Sequence, residues 1–505
     1  MYAAIGELPA VIAAACLTLE YVVSGSAVAR SWGDKMVDWL KNEIDLSGWM
    51  LYLLDPGFGF NPLAFLISLV STLSLLQGVK ESKSVTNFFT SVKVILVMYM
   101  IVGGAFYFQS KNLTPFIPKS MGMSGMMRGA TSSFFGYIGY DEVCCVAGEA
   151  INPQKNMPRA VMLTIGIVTL LTVLASFSLV GMQPYFDISA TSGFPEAFRY
   201  NDAIIASQIC AVRNPRNNLC VFFAAFLKFS FIFSTKFGEI FTLPIVVLIT
   251  LMAQPRLGFA LAKDGLLPEI FGEVNESGNI FKGTLIFGAL MTFIAAFMPF
   301  AYLDDLISGG ILIAFSMTNS SLVILRHESP DDKPFLLQKH LFLFNFFSLL
   351  TGLSMKNLGF NIFGQMITFA LAIITLWISL RLARKCPQSV IFGGKSASQN
   401  SVPFERENGA FYKVPFVPYL PCMGIFINWY LVAQLQLSGF VLLILYISGA
   451  CIFYYKYGIK HSRGNAHQWK IYNTLGEVEQ DNEHMFGTYA RTISLPRRKS
   501  QTHLT

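Results

Sequence analysis

The chain has 505 residues, of which 53% are hydrophobic and only 13% are charged. A soluble globular domain carries about twice that fraction of charged residues, so the composition excludes a soluble globule and predicts an all-α polytopic membrane protein. The formal net charge of +7 is small for this length, and it indicates basic cytoplasmic loops rather than binding to nucleic acid. The eight cysteines and six histidines show no spacing typical of a zinc site.

Apolar runs of about twenty residues, the length that crosses a bilayer as a helix, recur along the chain. They predict about twelve membrane spans, at residues 8–30, 60–79, 86–108, 126–148, 159–182, 237–261, 281–301, 306–325, 338–354, 359–380, 414–434 and 437–456. Together the spans form one membrane domain over residues 1–457, and the polar, basic residues 458–505 are expected to be a disordered cytosolic tail. Lysine and arginine concentrate in alternate loops, so the positive-inside rule puts both termini in the cytoplasm.

The span at 126–148 has two glycines and two carboxylates near its middle. Gly136 and Gly139 leave the backbone free to open, while Asp141 and Glu142 are costly in hydrocarbon unless they face protein or water. A helix opened at mid-membrane exposes N–H and C=O groups, which transporters use to hold the charged ends of a substrate. The structural alternative is a glycine kink beside a buried carboxylate.

The run FFGYIGYDEV, followed closely by GEAINPQKNMPRAV, resembles the sixth helix and the next loop of the cationic amino acid transporters. This family belongs to the amino acid–polyamine–organocation (APC) superfamily. The resemblance extends over nearly the whole membrane region: GELPAVIAAACLTLEYVVSGSAVARSW resembles the third helix and QPRLGFALAKDGLLP the end of the eighth. It implies an APC-type inverted repeat of five plus five helices with broken helices, extra C-terminal helices, and transport of arginine, lysine or ornithine by alternating access.

Two departures from the family pattern leave alternatives open. The chain starts where the family's third helix begins, so the resemblance implies an N-terminally incomplete fold without the first broken helix. A truncated amino acid transporter and a non-transporting membrane subunit or sensor both fit that departure. Residues 203–236 are longer than the family's loop, and we expect them to form an inserted loop at the surface, with the apolar run 217–234 not spanning.

Enzymatic activity is not expected. The sequence shows no nucleophile–base pair, metalloprotease motif, phosphate loop or nucleotide fingerprint, and it implies no cofactor. The expected partners are an amino acid substrate and the lipid bilayer, with no nucleic acid. The plasma membrane is the expected location, and an internal membrane is the alternative.

The break and the resemblance together predict a substrate site. Its residues are the run at the break and one glutamate that matches a family residue tied to transport, namely Phe135, Gly136, Tyr137, Ile138, Gly139, Tyr140, Asp141 and Glu7. The aromatic side chains among them could stack on a substrate cation, or serve only as packing. Further transmembrane carboxylates are Glu20, Glu142 and Glu149; Glu20 should face the bundle interior, either in a functional role or in a structural ion pair.

Lys93 lies in the span 86–108, about two turns from its cytoplasmic end. Bacterial relatives in the superfamily carry a lysine near this point, so the resemblance implies a role for Lys93 in proton coupling. Animal cationic transporters have a neutral residue there, and snorkelling of the side chain to the inner headgroups is the alternative. In the span 306–325, small residues are expected to let the helix approach the break closely, namely Ser308, Gly309, Gly310 and Ser316.

Two covalent modifications are compatible with the predicted topology. Asn112-Leu113-Thr114 is an N-glycosylation sequon in a loop predicted to lie outside the cell. Cys210 and Cys220 fall in one outward loop, where they could form a disulfide.

Overall fold

The computed structural model describes residues 2–43, 48–56, 59–77, 83–117, 122–137, 139–140, 142–145, 150–188, 193–201, 218–275, 279–330, 332–333, 335–358, 362–389 and 414–462. Every long element of this described part is a helix, and its β structure is limited to one bridge between His327 and Gln388. The apolar sequence favours this architecture because a helix satisfies its own backbone hydrogen bonds inside a bilayer.

The N-terminal half begins with two helices that run on as one rod, joined by a π-helical turn at Leu19–Val23. A side-chain cap starts the third helix, where the Asn61 side chain accepts a hydrogen bond of 2.9 Å from the backbone N–H of Ala64. Short helices at Tyr2–Ile5, Gly48–Leu54 and 193–201 lie between the longer ones. The main helices of this half are α1 (Glu7–Thr18), α2 (Ser24–Glu43), α3 (Pro62–Leu76), α4 (Lys83–Phe106), α5 (Gly122–Ser133), α6 (Glu142–Cys145) and α7 (Pro153–Met182).

The C-terminal half is built from longer, mostly uninterrupted helices. Its last helix continues through a second π-helical turn, Tyr454–Gly458, and ends at His461. The main helices of this half are α8 (Asn218–Lys263), α9 (Phe281–Phe297), α10 (Phe300–Arg326), α11 (Leu336–Leu358), α12 (Ile362–Lys385), α13 (Tyr419–Gln434) and α14 (Leu437–Phe453).

The helices confirm an all-α multi-pass architecture. In the described part, eight helical segments are long and apolar enough to cross a membrane. The predicted spans at 60–79 and 281–301 form shorter apolar helices, 414–434 forms the 16-residue helix α13, and 126–148 is interrupted. The first span is longer than predicted, because α1 and α2 together reach Glu43.

The expectation of a surface loop over residues 203–236 is wrong from Asn218 onward. The backbone from Asn218 to Lys263 is one helix of 46 residues, which at 1.5 Å per residue is about 70 Å long and exceeds the hydrocarbon thickness. The physical reason lies in the sequence, since residues 218–237 contain neither glycine nor proline to stop a helix. The added helix continues α8 in the same direction, and the expectation that the run 217–234 does not span stays a prediction.

Helix α10 occupies the centre of the packed core. Leu303, Ile307 and Ile311 are at most 1% exposed and pack against α1, α13 and α14. A second cluster joins α2, α3, α8 and α9. In contrast, α7 exposes its apolar side chains along its length, as expected for a helix that faces lipid. The core helices α1, α8 and α10 are therefore the ones that can build an interior site.

Candidate functional site

The predicted break in the span 126–148 is present. Helix α5 ends at Ser133, a 3₁₀ turn covers Phe134–Tyr137, and helix resumes only at Glu142. Gly139 has a φ of +103°, a conformation that residues with a Cβ rarely adopt. A Cβ added to Gly136 would meet open space, so the break depends on Gly139 for its backbone geometry and not on Gly136.

Part of the predicted site falls outside what the structure describes. Ile138, Asp141 and Glu149 lie outside the described residues, as does Cys210. The backbone of Phe135, Glu142 and Cys220 is described, but their side chains are not. Their proposed roles, and the disulfide between Cys210 and Cys220, stay predictions.

The two tyrosines of the break contact different neighbouring helices. The Tyr137 hydroxyl lies 3.3 Å from the Thr172 hydroxyl on α7. The Tyr140 ring packs against Phe315 on α10, with 5.5 Å between ring centroids. The opened segment is thus held between α7 and α10, and both tyrosines are engaged with protein groups.

A second irregular segment faces the interior at the π-helical turn between α1 and α2. Glu20, within this turn, is 0% exposed. Gln254 of α8 donates through Nε2 to the Thr18 hydroxyl at 3.3 Å. The Gln254 Oε1 and Ser24 Oγ atoms are also buried, and neither forms a hydrogen bond within the described part of the chain. The turn therefore gathers a carboxylate and two buried hydrogen-bond acceptors between α1–α2 and α8.

The break and the π-turn share two neighbours. Helix α8 contacts both the π-turn and α6, which follows the break in the chain. Helix α10 contacts the π-turn, α5 and the 3₁₀ turn of the break. The two segments thus share α8 and α10 as neighbours: on α10, Gly310 lies beside Leu19 of the π-turn, and Phe315, five residues further on, lies beside Tyr140 of the break.

Glu7 lies elsewhere. It is the first residue of α1, and the Tyr454 hydroxyl donates a 3.1 Å hydrogen bond to its carboxylate. Thirteen residues separate Glu7 from Glu20, which is about 20 Å along a helix. The two carboxylates therefore cannot contact the same small substrate group.

Lys93 is one of the exposed residues of α4. Its role in proton coupling stays a prediction.

The expected role of Gly309 and Gly310 on α10 is wrong, while that of Ser308 and Ser316 stays a prediction. A Cβ added to Gly310 would lie 3.4 Å from Leu19 Cδ1, and one added to Gly309 would lie 2.6 Å from Leu443 Cδ2. These glycines therefore allow α10 to approach α1 and α14 rather than the break. Apolar periodicity marks a helix as buried but does not show which neighbour each face meets.

The Asn112 side chain takes part in a structural contact. Its Nδ2 atom, which would carry a glycan, donates to the backbone carbonyl of Gly181 at 2.9 Å. Glycosylation replaces one of the two N–H groups on Nδ2 and leaves the other able to donate, so this bond does not test the modification, which stays a prediction.

Sequence reasoning missed Gln254 and Ser24. Gln254 could have been found from the sequence, because an amide within the apolar span 237–261 needs a polar partner inside the bundle. Ser24 carries no such signal, since serine is common in transmembrane helices and usually bonds to its own backbone.

Comparison with known proteins identifies the class to which this fold and site belong. The sequence model of the amino acid permease family matches residues 1–391, and that of the C-terminus of these permeases matches residues 412–462. The chain belongs to the amino acid permease family, and it is an integral, multi-pass membrane protein of a family of transporters. The resemblance noted from the FFGYIGYDEV run is confirmed.

Three individual relatives show how similar the chain is to single members of this family. The chain is 26% identical over 513 residues to the vacuolar cationic amino acid transporter 4 of Arabidopsis thaliana, covering 91% of this chain and 80% of that protein. It is 30% identical over 342 residues to the methylthioribose transporter of Bacillus subtilis, covering 66% and 67%. It is 29% identical over 342 residues to the branched-chain amino acid permease BcaP of the same bacterium, covering 65% and 67%. Amino acid transport is the function that this family supports, and the names of these relatives divide between charged and uncharged substrates.

Proposed function

We propose that the chain transports cationic amino acids, namely arginine, lysine and ornithine, by alternating access, with the substrate bound at the broken helix 126–148. The observation that carries this proposal is the full burial of Glu20 at the π-turn, where α8 and α10 border both this turn and the break. A carboxylate inside a bundle needs a cationic or hydrogen-bonding counterpart during its working cycle.

The opened helix at the break supports recognition of the α-carboxylate and the α-amine of the substrate. The α-carboxylate of an amino acid needs N–H donors and the α-amine needs carbonyl acceptors, and an opened helix supplies both. Asp141 and the aromatic residues Tyr137 and Tyr140 remain candidates for contact with the substrate. Glu7 is a weaker candidate, because its carboxylate is bonded to Tyr454 at the start of α1.

The polar groups around Glu20 fit a guanidinium or ammonium group. Gln254 Oε1 and Ser24 Oγ are acceptors without a hydrogen-bond partner among the described residues, and a guanidinium carries five N–H donors. A cationic side chain reaching the π-turn would pair with the carboxylate and satisfy these acceptors. A leucine side chain in the same place would leave them unsatisfied, at a cost of about 1–3 kcal/mol each.

The proposed orientation follows from charge. Lys80, Lys155, Arg256 and Arg326 belong to loops or helix ends on one predicted side of the membrane, and this supports cytoplasmic termini. We place the protein in the plasma membrane, where an inside-negative potential favours uptake of a cation.

The decisive test compares Glu20→Gln with the parent protein in proteoliposomes, by uptake of radiolabelled arginine and of leucine. Glutamine keeps the size of the side chain and removes its charge, so arginine uptake should fall about ten- to a hundredfold, while leucine uptake changes little. Glu7→Gln is the matched control, since glutamine can still accept the Tyr454 hydrogen bond; it should not discriminate between the two substrates. An equal loss for arginine and leucine in Glu20→Gln would refute the assignment of charge recognition to Glu20. Transport of leucine alone by the parent protein would show a permease for neutral amino acids.

A further inference from the structure

Four residues on one face of α12 bring a tryptophan and three cations together at the cytoplasmic end of the helix. Trp377, Arg381, Arg384 and Lys385 are spaced at i, i+4, i+7 and i+8, so they lie on one side of the helix. All four are exposed, whereas Ile378 and Leu382 on the adjoining side of the helix pack into a core cluster with α11 and α13 and are at most 3% exposed. The cationic face therefore points away from the packed bundle.

The same face is apolar toward the membrane centre. Phe369, Ile373 and Leu376 expose between 51% and 70% of their surface. On the neighbouring helix α11, Phe342 is 71% exposed near the cytoplasmic end. This end of the helix pair thus offers an apolar surface that leads directly to a cluster of positive charge.

Arg381 is held in a fixed orientation. Its guanidinium carbon lies 3.8 Å from the centroid of the Trp377 ring, so the two groups are in van der Waals contact and form a cation–π pair. Stacking leaves the in-plane N–H donors of the guanidinium free to form two parallel hydrogen bonds to a phosphate.

No described carboxylate neutralises this cluster. Within the described part of the chain, Arg381, Arg384 and Lys385 form no ion pair. Other surface cations do, because Lys282 pairs with Glu273 and Arg199 with Glu196. The positive-inside rule accounts for the side of the membrane on which the cluster lies. It does not account for three unneutralised cations on the outward face, one of them stacked on a tryptophan at headgroup level.

We propose that this face, defined by Trp377, Arg381, Arg384 and Lys385, binds the headgroup of an anionic phospholipid of the inner leaflet. The phosphate bonds to the Arg381 guanidinium, and Arg384 and Lys385 add electrostatic attraction to the same negatively charged headgroup. The acyl chains lie on the apolar face of α12. A lipid fits better than a soluble anion because the charged cluster is continuous with the apolar surface.

The test measures lipid retention by native mass spectrometry of the purified full-length protein, after incubation with dioleoyl-phosphatidylglycerol or dioleoyl-phosphatidylcholine. The parent protein should retain the glycerol lipid in preference to the choline lipid. The triple substitution Arg381→Gln, Arg384→Gln, Lys385→Gln should remove that preference, because each cation near an anionic surface raises the affinity for the lipid by about fivefold. Lys282→Gln, which removes a cytoplasmic cation already paired with Glu273, should leave the preference unchanged.

A second variant covers the case in which the triple variant fails to fold. Arg381→Lys keeps the charge but not the planar stacking on Trp377, and it should reduce the preference while leaving the melting temperature in choline lipid unchanged. Equal retention of the two lipids by the parent protein would overturn the proposal. The same loss in Lys282→Gln, or displacement of the lipid by inorganic phosphate, would overturn it as well.

Discussion

At the scale of single residues, glycine controls how closely α3 and α9 pack. A Cβ added to Gly288 would lie 2.3 Å from Thr72 Cγ2 and 2.6 Å from its Oγ1. Thr72 cannot easily move, since it is 4% exposed and its hydroxyl donates to the Ser68 carbonyl at 2.8 Å. The close approach thus requires the absence of a side chain at position 288, as small residues provide in membrane helix pairs.

We therefore expect Gly288→Ala to destabilise the protein by about 1–3 kcal/mol through overpacking. The measurement is thermal unfolding in detergent, followed by loss of monodispersity or by fluorescence. Gly166→Ala on α7 is the matched control, because an added Cβ there would meet nothing within 4 Å. A melting temperature of Gly288→Ala equal to that of Gly166→Ala would contradict the expected clash.

At the scale of elements, two hydrogen bonds attach the C-terminal helix to the first helix. The Tyr446 hydroxyl donates to the Ala15 carbonyl at 2.9 Å, and the Tyr454 hydroxyl donates to Glu7. Ala15 lies one turn before the π-turn, where the regular hydrogen-bond ladder of the helix is disturbed. Helix α14 thus supports the first helix at two levels, and one of these contacts is the carboxylate predicted to bind substrate.

Another connection joins the C-terminal ends of α10 and α12. The Ser389 N–H donates to the Arg326 carbonyl at 2.9 Å, and the Glu328 N–H donates to the Pro387 carbonyl at 3.0 Å. His327 lies between them and is 5% exposed, with a buried Nδ1 that has no hydrogen-bond partner among the described residues. Burial lowers the pKa of His327 below its ordinary value of 6.5; a hydrogen bond to the Val323 carbonyl opposes this shift and the charge of Arg326 adds to it.

Because the folded state favours neutral His327, its stabilising contribution is present above the ordinary pKa and is lost as the pH falls through the lowered value. We expect the melting temperature to fall on acidification from about pH 7 to about pH 5, and His327→Gln to weaken that dependence. His461→Gln provides the comparison, since this histidine is exposed at the end of the last helix. Identical pH profiles for the parent protein and His327→Gln would show that the connection between α10 and α12 is not sensitive to protonation.

At the scale of the whole molecule, transport of a cation couples directly to the membrane potential. Moving one positive charge inward gains about 2.3 kcal/mol per 100 mV, so no ion gradient is needed for accumulation. We expect arginine uptake into proteoliposomes to rise with an inside-negative potassium diffusion potential, and leucine uptake to be insensitive to it. Uptake that ignores the potential but follows a proton gradient would instead support the coupling role of Lys93.

Much of the fold followed from the sequence alone. Hydropathy placed the helices, since only a helix can satisfy its backbone inside the bilayer, and the glycines with FFGYIGYDEV located the break. The extension of α8 from Asn218 was missed because the family pattern has no counterpart for it, although the local sequence favours a helix. The candidate site was predicted in part: the break is present, while Gln254 and Ser24 appear only once the helices are packed.

The choice between Glu7 and Glu20 could be made only from the tertiary structure. Both lie on the first span. The sequence predicted that Glu20 faces the interior, but it did not show which polar groups surround Glu20, and it predicted Glu7 as the substrate-binding carboxylate. Their contacts come from residues far along the chain: Tyr454, 447 residues from Glu7, and Gln254, 236 residues from Thr18 beside Glu20. The sequence by itself determined which segments enter the membrane, because that depends on the apolarity of each segment. Which groups surround each carboxylate depends on how distant helices pack together, and that was decided by the tertiary structure.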